Sequence, residues 1–372
     1  MELPLVPGPL SARLPLVSIL TPNYNYARFL PRAVASVRAQ TYQDWEMIIC
    51  DDCSTDDSRD VIRETAASEP RVRPVLLERN RGVAGALNAC FAASVGDIIC
   101  LLDADDTWAP EKIELVVAVA RRVPSAGLLV HPLLHIDKKR RPIRVYPPGP
   151  LASGWYGPEM AEFGAGPNLP PASGLSLRRL VAGAVFPLPE SFRTLADAAI
   201  IWVAAALTRA EVVSQSPLGT LLIHGSNVTS AQGALENFKD GGLLESWQRL
   251  ARDVSGLAGP WPCPWLAVLS ALIPRRISGE IRWSDWRREL RDSASWRHAR
   301  GKNPKFRLFF EVVPVLPPVL FGLLFRLACY CSDLWKRKAV LLRRLPRSKA
   351  NEGLARCPSF AEGDATGVGA RD

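Results

Sequence analysis

Ile98-Ile99-Cys100-Leu101-Leu102-Asp103-Ala104-Asp105-Asp106-Thr107-Trp108 is an apolar run that drives straight into three carboxylates. A run this uniformly apolar suits a strand buried on both faces, as in a parallel sheet covered by helices. The acids then fall at the strand's carboxyl end, the edge where open α/β sheets place their ligands. Clustered carboxylates repel one another unless a cation or a donor-rich ligand lies between them. Asp103 and Asp105 therefore read as a metal site, and hard oxygen ligands favour Mg²⁺ or Mn²⁺. The plainer alternative is an Asp-rich turn in which Asp106 or Thr107 caps a helix starting near Pro110.

The same pattern recurs upstream. Leu16 to Leu20 is a short apolar strand ending in the turn formers Thr21-Pro22-Asn23-Tyr24-Asn25, and Phe29, Leu30, Ala33, Val34 and Val37 follow at helical spacing. Glu46 to Cys50 is a second strand, ending in Asp51-Asp52-Cys53-Ser54-Thr55-Asp56-Asp57. Capping of the next helix accounts for Ser54 to Asp57 but not for Asp51 and Asp52. Val72 to Leu77 is a third strand, and Asn80 to Asn88 opens a helix rich in small residues. Three successive strand-helix units predict a doubly wound, mostly parallel α/β sheet. Gly82-x-x-Gly85 lacks the spacing of a dinucleotide fingerprint, which argues against a nicotinamide dehydrogenase.

Beyond the acids, Pro110 to Arg122 reads as a helix and Gly127 to Ile136 as a strand whose His131 and His135 are packed or solvated. Lys138 to Gly157 reads as a loop, and Pro170 to Arg179 as a turn with a short apolar segment. Leu195 to Leu207 is apolar almost all round, which predicts a buried helix with one carboxylate, Asp197, near its start. Leu221 to Asn227 ends a strand in His224 and a glycine turn.

In their order, these motifs resemble the family 2 glycosyltransferases of the GT-A fold over roughly residues 14–230. They are Thr21-Pro22-x-Tyr24-Asn25, Gln40-Thr41-Tyr42-x-Asp44-x-Glu46, Asp51-Asp52-x-Ser54-x-Asp56, Asn80-x-Gly82, Asn88, Gly96-Asp97 and Asp103-x-Asp105-Asp106. The resemblance implies that Thr21 and Asp52 help hold the base of a nucleotide sugar, with Pro22, Asn25, Asn80 and Asn88 lining the donor site. It implies that Asp103 and Asp105 contact the ribose and the metal-bound diphosphate, with His224 as a further metal or phosphate contact. It makes Asp197 the catalytic base, although Ala196 stands where the family often has Glu, and Cys53 where Gly is usual. The implied activity is metal-dependent inverting transfer to a hydroxyl acceptor, in which one base suffices because the diphosphate leaves readily. The implied setting is assembly of surface polysaccharide or glycolipid. A nucleotidyltransferase is the second reading, though the first strand is followed by no basic, glycine-rich triphosphate loop. A membrane-bound, catalytically silent nucleotide-sugar scaffold is the third, supported only by Ala196.

The chain has 372 residues, 48% hydrophobic and 22% charged, enough for one large core and a smaller one. Its formal charge of +9 is unevenly placed: residues 1–230 carry 22 basic and 23 acidic side chains, residues 231–372 carry 24 and 14. Seven of the eleven tryptophans also lie beyond residue 230. Two proline-broken apolar stretches there, Trp261 to Pro274 and Val312 to Phe325, sit beside many arginines, which suits a membrane interface better than a spanning helix. No nucleic-acid motif accompanies the charge. The expected organisation is an N-terminal extension (1–13), a transferase domain (14–230), a helical, basic, interfacial region (231–345) and a disordered tail (346–372). Met1 to Ser11 has no basic segment ahead of an apolar core, so it does not read as a signal peptide. The eight scattered cysteines read as reduced, so the expected location is cytoplasmic, peripherally on the inner face of the cell membrane.

Overall fold

The structure, a computed structural model, describes residues 3–158, 160, 167–190, 192–193 and 196–224, with 282, 284–285 and 288 beyond them. The expected interfacial region (231–345) and disordered tail (346–372) therefore lie outside the described residues, apart from those four positions.

A seven-stranded sheet forms the centre. Its elements begin β1 (Val17–Asn23), α1 (Leu30–Arg38), β2 (Trp45–Asp51), α2 (Ser58–Ser68), β3 (Val72–Leu76), α3 (Gly82–Ala93) and β4 (Ile98–Leu101). After the short β5 (Thr107–Trp108) come α4 (Lys112–Arg122), β6 (Ala126–Val130), β7 (Leu133–Ile136) and β8 (Pro142–Tyr146). The chain closes with β9 (Leu175–Arg178), α5 (Arg179–Val185), α6 (Ala196–Leu207), β10 (Arg209–Val212) and β11 (Gly219–Leu222). The main sheet runs β10-β6-β9-β4-β1-β2-β3, and a second sheet runs β5-β11-β7-β8.

Alternation along the strands sorts the core into two layers. Leu20, Ile48, Cys50, Ile99 and Leu101 pack with α3, α5 and α6, whereas Val17, Ile19, Met47, Ile49 and Cys100 pack with α1 and α4. Helix α1 shows why it folds there: Leu30, Ala33, Val34 and Val37 are its buried residues, one stripe at helical spacing, and proline occupies its first turn. Helix α6 is buried almost throughout, as its sequence required.

The expectation of a mostly parallel sheet is met by β3, β2, β1 and β4 and by the β10–β6 pair. Strand β9 departs from it, running antiparallel to both β4 and β6. Three other readings are corrected. Gly127 to Ile136 is two strands in two different sheets, because Pro132 has no N–H to continue a ladder and His131 donates its own to Gly174 O at 3.1 Å. Pro142 to Tyr146 is a strand rather than loop. Neither Asp106 nor Thr107 caps α4, whose N-cap is Glu111 without a side-chain bond. Thr107 lies in β5, and its hydroxyl meets that of Thr220 at 2.7 Å.

Strands β1, β2 and β4 are parallel, so Asn23, Asp51 and the Leu101–Asp103 turn emerge at one edge. Strand β11 pairs with β5 directly after the acids and so walls that edge on the other side. No described helix is long and apolar enough to cross a membrane.

Candidate functional site

Four segments converge at this edge: the loop after β1, the loop after β4, the first turn of α6 and the end of β11. Asp105 Oδ2 lies 2.9 Å from His224 Nε2, a contact between residues 119 apart in the chain. His224 is buried and packed by aromatic rings, Phe29 at 4.6 Å between centroids and Tyr26 edge-on at 5.5 Å. Burial and the charges of Asp105, Asp103 and Asp106 push the Tyr26 phenol well above its ordinary pKa. The aromatic residue is thus part of the acidic site.

Asp103 keeps some exposed surface, yet burial, Asp105 and Asp197 together push its pKa from 3.8 up to about 8. Asp197, in the first turn of α6, is raised by burial, and its Oδ1 accepts the N–H of Ala198 at 2.8 Å. Asp103, Asp105 and Asp197 are therefore brought together from distant parts of the sequence.

Asp106 has a different role. It is buried, its pKa is raised by burial and the neighbouring acids, and both its oxygens are engaged. Oδ2 accepts the Ser173 hydroxyl at 2.6 Å, and Oδ1 accepts the N–H of Leu222 at 3.1 Å. Ser173 Oγ in turn accepts the N–H of Asp103 at 3.1 Å, and Ser173 O accepts Trp108 Nε1 at 2.9 Å. Asp106 thereby ties the Asp103 turn to the strand that delivers His224.

The remaining residues surround a second corner. Asp52, only 3% exposed, accepts Arg81 N–H at 2.6 Å and Gly82 N–H at 2.8 Å at the start of α3. Its pKa is still raised, because burial outweighs those bonds and the charge of Arg193. Asn80 Nδ2 donates to Asp52 O at 3.1 Å, and Asn80 Oδ1 accepts from Arg193. Asp51 is structural: it pairs with Arg59 at 2.9 Å and accepts Asn23 Nδ2 and Ser54 N–H.

Several expected donor contacts are otherwise committed. Asn25 adopts φ 58°, and its side chain accepts Thr55 N–H at 2.7 Å, clasping the loops after β1 and β2. Asn88 Nδ2 donates to Leu188 O at 2.8 Å and its Oδ1 accepts Leu188 N–H at 2.7 Å, so both ends of the amide brace the segment before α6. Thr21 is wholly buried, its hydroxyl without a partner among the described residues, while Pro22 beside it is partly exposed. Tyr26, Ser173 and Asp106 carry the roles that the sequence reading did not assign.

Residues 18–168 match the family model described as glycosyl transferase family 2. Over that span the chain is similar to the family. An uncharacterized glycosyltransferase of Nostoc sp. (strain PCC 7120) is 39% identical to this chain over 214 residues, 57% of this chain and 66% of the relative. The Escherichia coli UDP-Glc:alpha-D-GlcNAc-diphosphoundecaprenol beta-1,3-glucosyltransferase WfgD is 36% identical over 104 residues, 28% of this chain and 40% of that protein. The chain thus spans less than two thirds of the length of these relatives. The crystal structure of S. aureus TarS 1-349 in complex with UDP-GlcNAc overlays 80% of this chain and 90% of its own, at 13% identity and a TM-score of 0.49.

Among the described residues, no three His, Cys, Asp or Glu side chains are grouped to hold a metal ion by themselves. The oxygen donors at this edge nonetheless suit Mg²⁺ or Mn²⁺, which needs only one or two carboxylates plus substrate phosphates. Asp103, pushed up to about 8 by burial and then by its acidic neighbours, is a carboxylate that a divalent cation would relieve of repulsion.

Proposed function

We propose that the chain transfers a glycosyl unit, with inversion, from a nucleotide-diphosphate sugar to a hydroxyl acceptor in surface polysaccharide or glycolipid assembly, on a GT-A type domain. The observation that carries this reading is the meeting of Asp103, His224-bound Asp105 and Asp197 at the carboxyl edge of a family 2 sheet. Burial keeps the Asp197 carboxyl high, which suits a group that must take a proton from an acceptor hydroxyl. Asp105 and Asp103, with His224 beside them, would hold the divalent cation; when bound it stabilises charge gathering on the departing diphosphate. Asp52 and Pro22 would border the base, with Thr21 beneath them. Asn25, Asn80 and Asn88 would keep the surrounding loops in place.

The relative from Escherichia coli is named for a UDP-glucose donor and a diphosphoundecaprenol-linked acceptor, and that chemistry guides the choice of acceptor class here. The tryptophan- and arginine-rich region beyond residue 230 would hold the enzyme at the inner face of the membrane. The deciding experiment screens nucleotide sugars by thermal shift with and without Mn²⁺, then assays transfer by the wild-type enzyme and Asp197→Asn. A donor that stabilises the protein, together with transfer lost in Asp197→Asn, supports the proposal. Transfer unchanged in that variant would remove Asp197 as the base, and donor binding without any wild-type transfer would favour the scaffold.

A further inference from the structure

The β7–β8 turn is a rigid, positively charged projection. Asp137 N–H donates to Arg141 O at 3.1 Å and Arg140 N–H to Asp137 O at 2.8 Å. The Asp137 carboxylate also accepts Lys139 N–H at 2.8 Å, Arg141 N–H at 2.9 Å and Arg141 Nε at 2.8 Å. Arg141 is thereby neutralised, but the side chains of Lys138, Lys139 and Arg140 are exposed and meet no carboxylate among the described residues.

The turn stands at the mouth of the site. Leu222 is in register with Ile136, and Ile223 N–H donates to Ile136 O at 2.9 Å, so His224 and Asp137 leave adjacent strands at the same level. Phe29 fills the space between, packing on Ile136 and Leu222 and lying 4.6 Å from His224. Arg28 lies 4.5 Å over the Phe29 ring. One helical turn on, Arg32 is half-buried and close enough to Arg140 for the two like charges to oppose each other. Asp103, Asp105 and Asp106 face Tyr26 from within, so the acids lie inside the mouth and the cations on its rim.

We infer that this rim, led by Lys138, Lys139 and Arg140, seats the catalytic domain on an anionic lipid surface, with the mouth of the site facing the headgroups. Like charges held together without counter-ions make an unfavourable arrangement that an anionic partner relieves. The cations stand exposed on a projecting turn rather than lining a pocket, which fits a broad anionic surface better than one enclosed phosphate. The turn is already fixed by Asp137, so docking orders little backbone. The inference extends the proposed membrane setting but does not depend on the transfer chemistry, because its test reads binding alone.

The full chain is sedimented with vesicles of phosphatidylcholine alone and of equal parts phosphatidylcholine and phosphatidylglycerol. Lys138→Ser, Lys139→Ser and Arg140→Asn are combined, asparagine being chosen because Arg140 sits at φ 61°. Partition onto the anionic vesicles should fall by about tenfold or more, in proportion to the cations removed. A matched removal of three exposed arginines elsewhere, Arg63, Arg79 and Arg122, should change it far less. Partition unchanged in the first variant, or reduced equally in both, would overturn the inference. So would a first variant that stops binding inorganic pyrophosphate while still binding vesicles, since the occupant would then be a soluble phosphate. An unchanged thermal midpoint identifies either variant as folded.

Discussion

His224 closes on Asp105 with Nε2 and Oδ2 2.9 Å apart, locking the end of β11 to the acidic turn after β4. Removing the imidazole deletes this contact to Asp105 and opens the ring cluster with Tyr26 and Phe29. His224→Ala should lower kcat/KM for transfer by about 10- to 100-fold and weaken the dependence on Mn²⁺. Steady-state assays across a Mn²⁺ titration check both.

The acidic cluster predicts how stability depends on pH. Asp103 has a folded pKa of about 8 against an ordinary 3.8, so between those values the folded chain holds a proton that the unfolded chain has released. The contribution is full below the unfolded pKa and is lost as pH rises through the folded one. The thermal midpoint of the ligand-free protein should therefore fall between about pH 5 and about pH 8, with Asp103→Asn flattening the fall. Scans in matched ionic strength test this, and calorimetry of nucleotide plus Mn²⁺ at neutral pH should register proton release.

Asp106 is predicted to matter more to architecture than to chemistry. Asp106→Ala strands the Ser173 hydroxyl in the interior and deletes the bond from the Leu222 N–H, and should cost about 1–3 kcal/mol. Chemical denaturation should show that loss. Ser173→Ala, which also deprives the Asp103 N–H of its acceptor, should reproduce part of it.

The segment before α6 offers a separate test. Asn88→Ala removes both bonds to Leu188 and should lower stability by about 1–3 kcal/mol. Asn88→Asp keeps the acceptor for Leu188 N–H and should fall between the two. Gly82→Ala should also destabilise, since Gly82 lies at φ 75° and a Cβ there would come within 2.8 Å of Arg193 Cα. Denaturation midpoints rank the three variants.

What was legible in the sequence is what local pattern encodes. The apolar run before Asp103 located β4, the spacing in Leu30 to Val37 located α1, and the lone acid in an apolar helix located Asp197. The rest depends on contacts that no local pattern carries. Asp105 and His224 are 119 residues apart, and Asp106 reaches Ser173 across 67. Asn88 falls within a motif, and both ends of its amide also bond a backbone 100 residues away. Strand β9 reads as apolar whichever way it runs, so its reversal was invisible until its neighbours were known.

That reversed strand also bears on how the chain assembles. β4 and β6 do not touch each other in the ladder; only β9, made some 45 residues after β6, joins them. During synthesis both edges must wait open, a hazard for misassociation in any long-range sheet. A fragment cut at residue 168, where the family match stops, would lack the joining strand. It would lack β10 as well, so β6 would have no ladder partner and β4 an open edge, and both should recruit strands from other molecules instead of from within one.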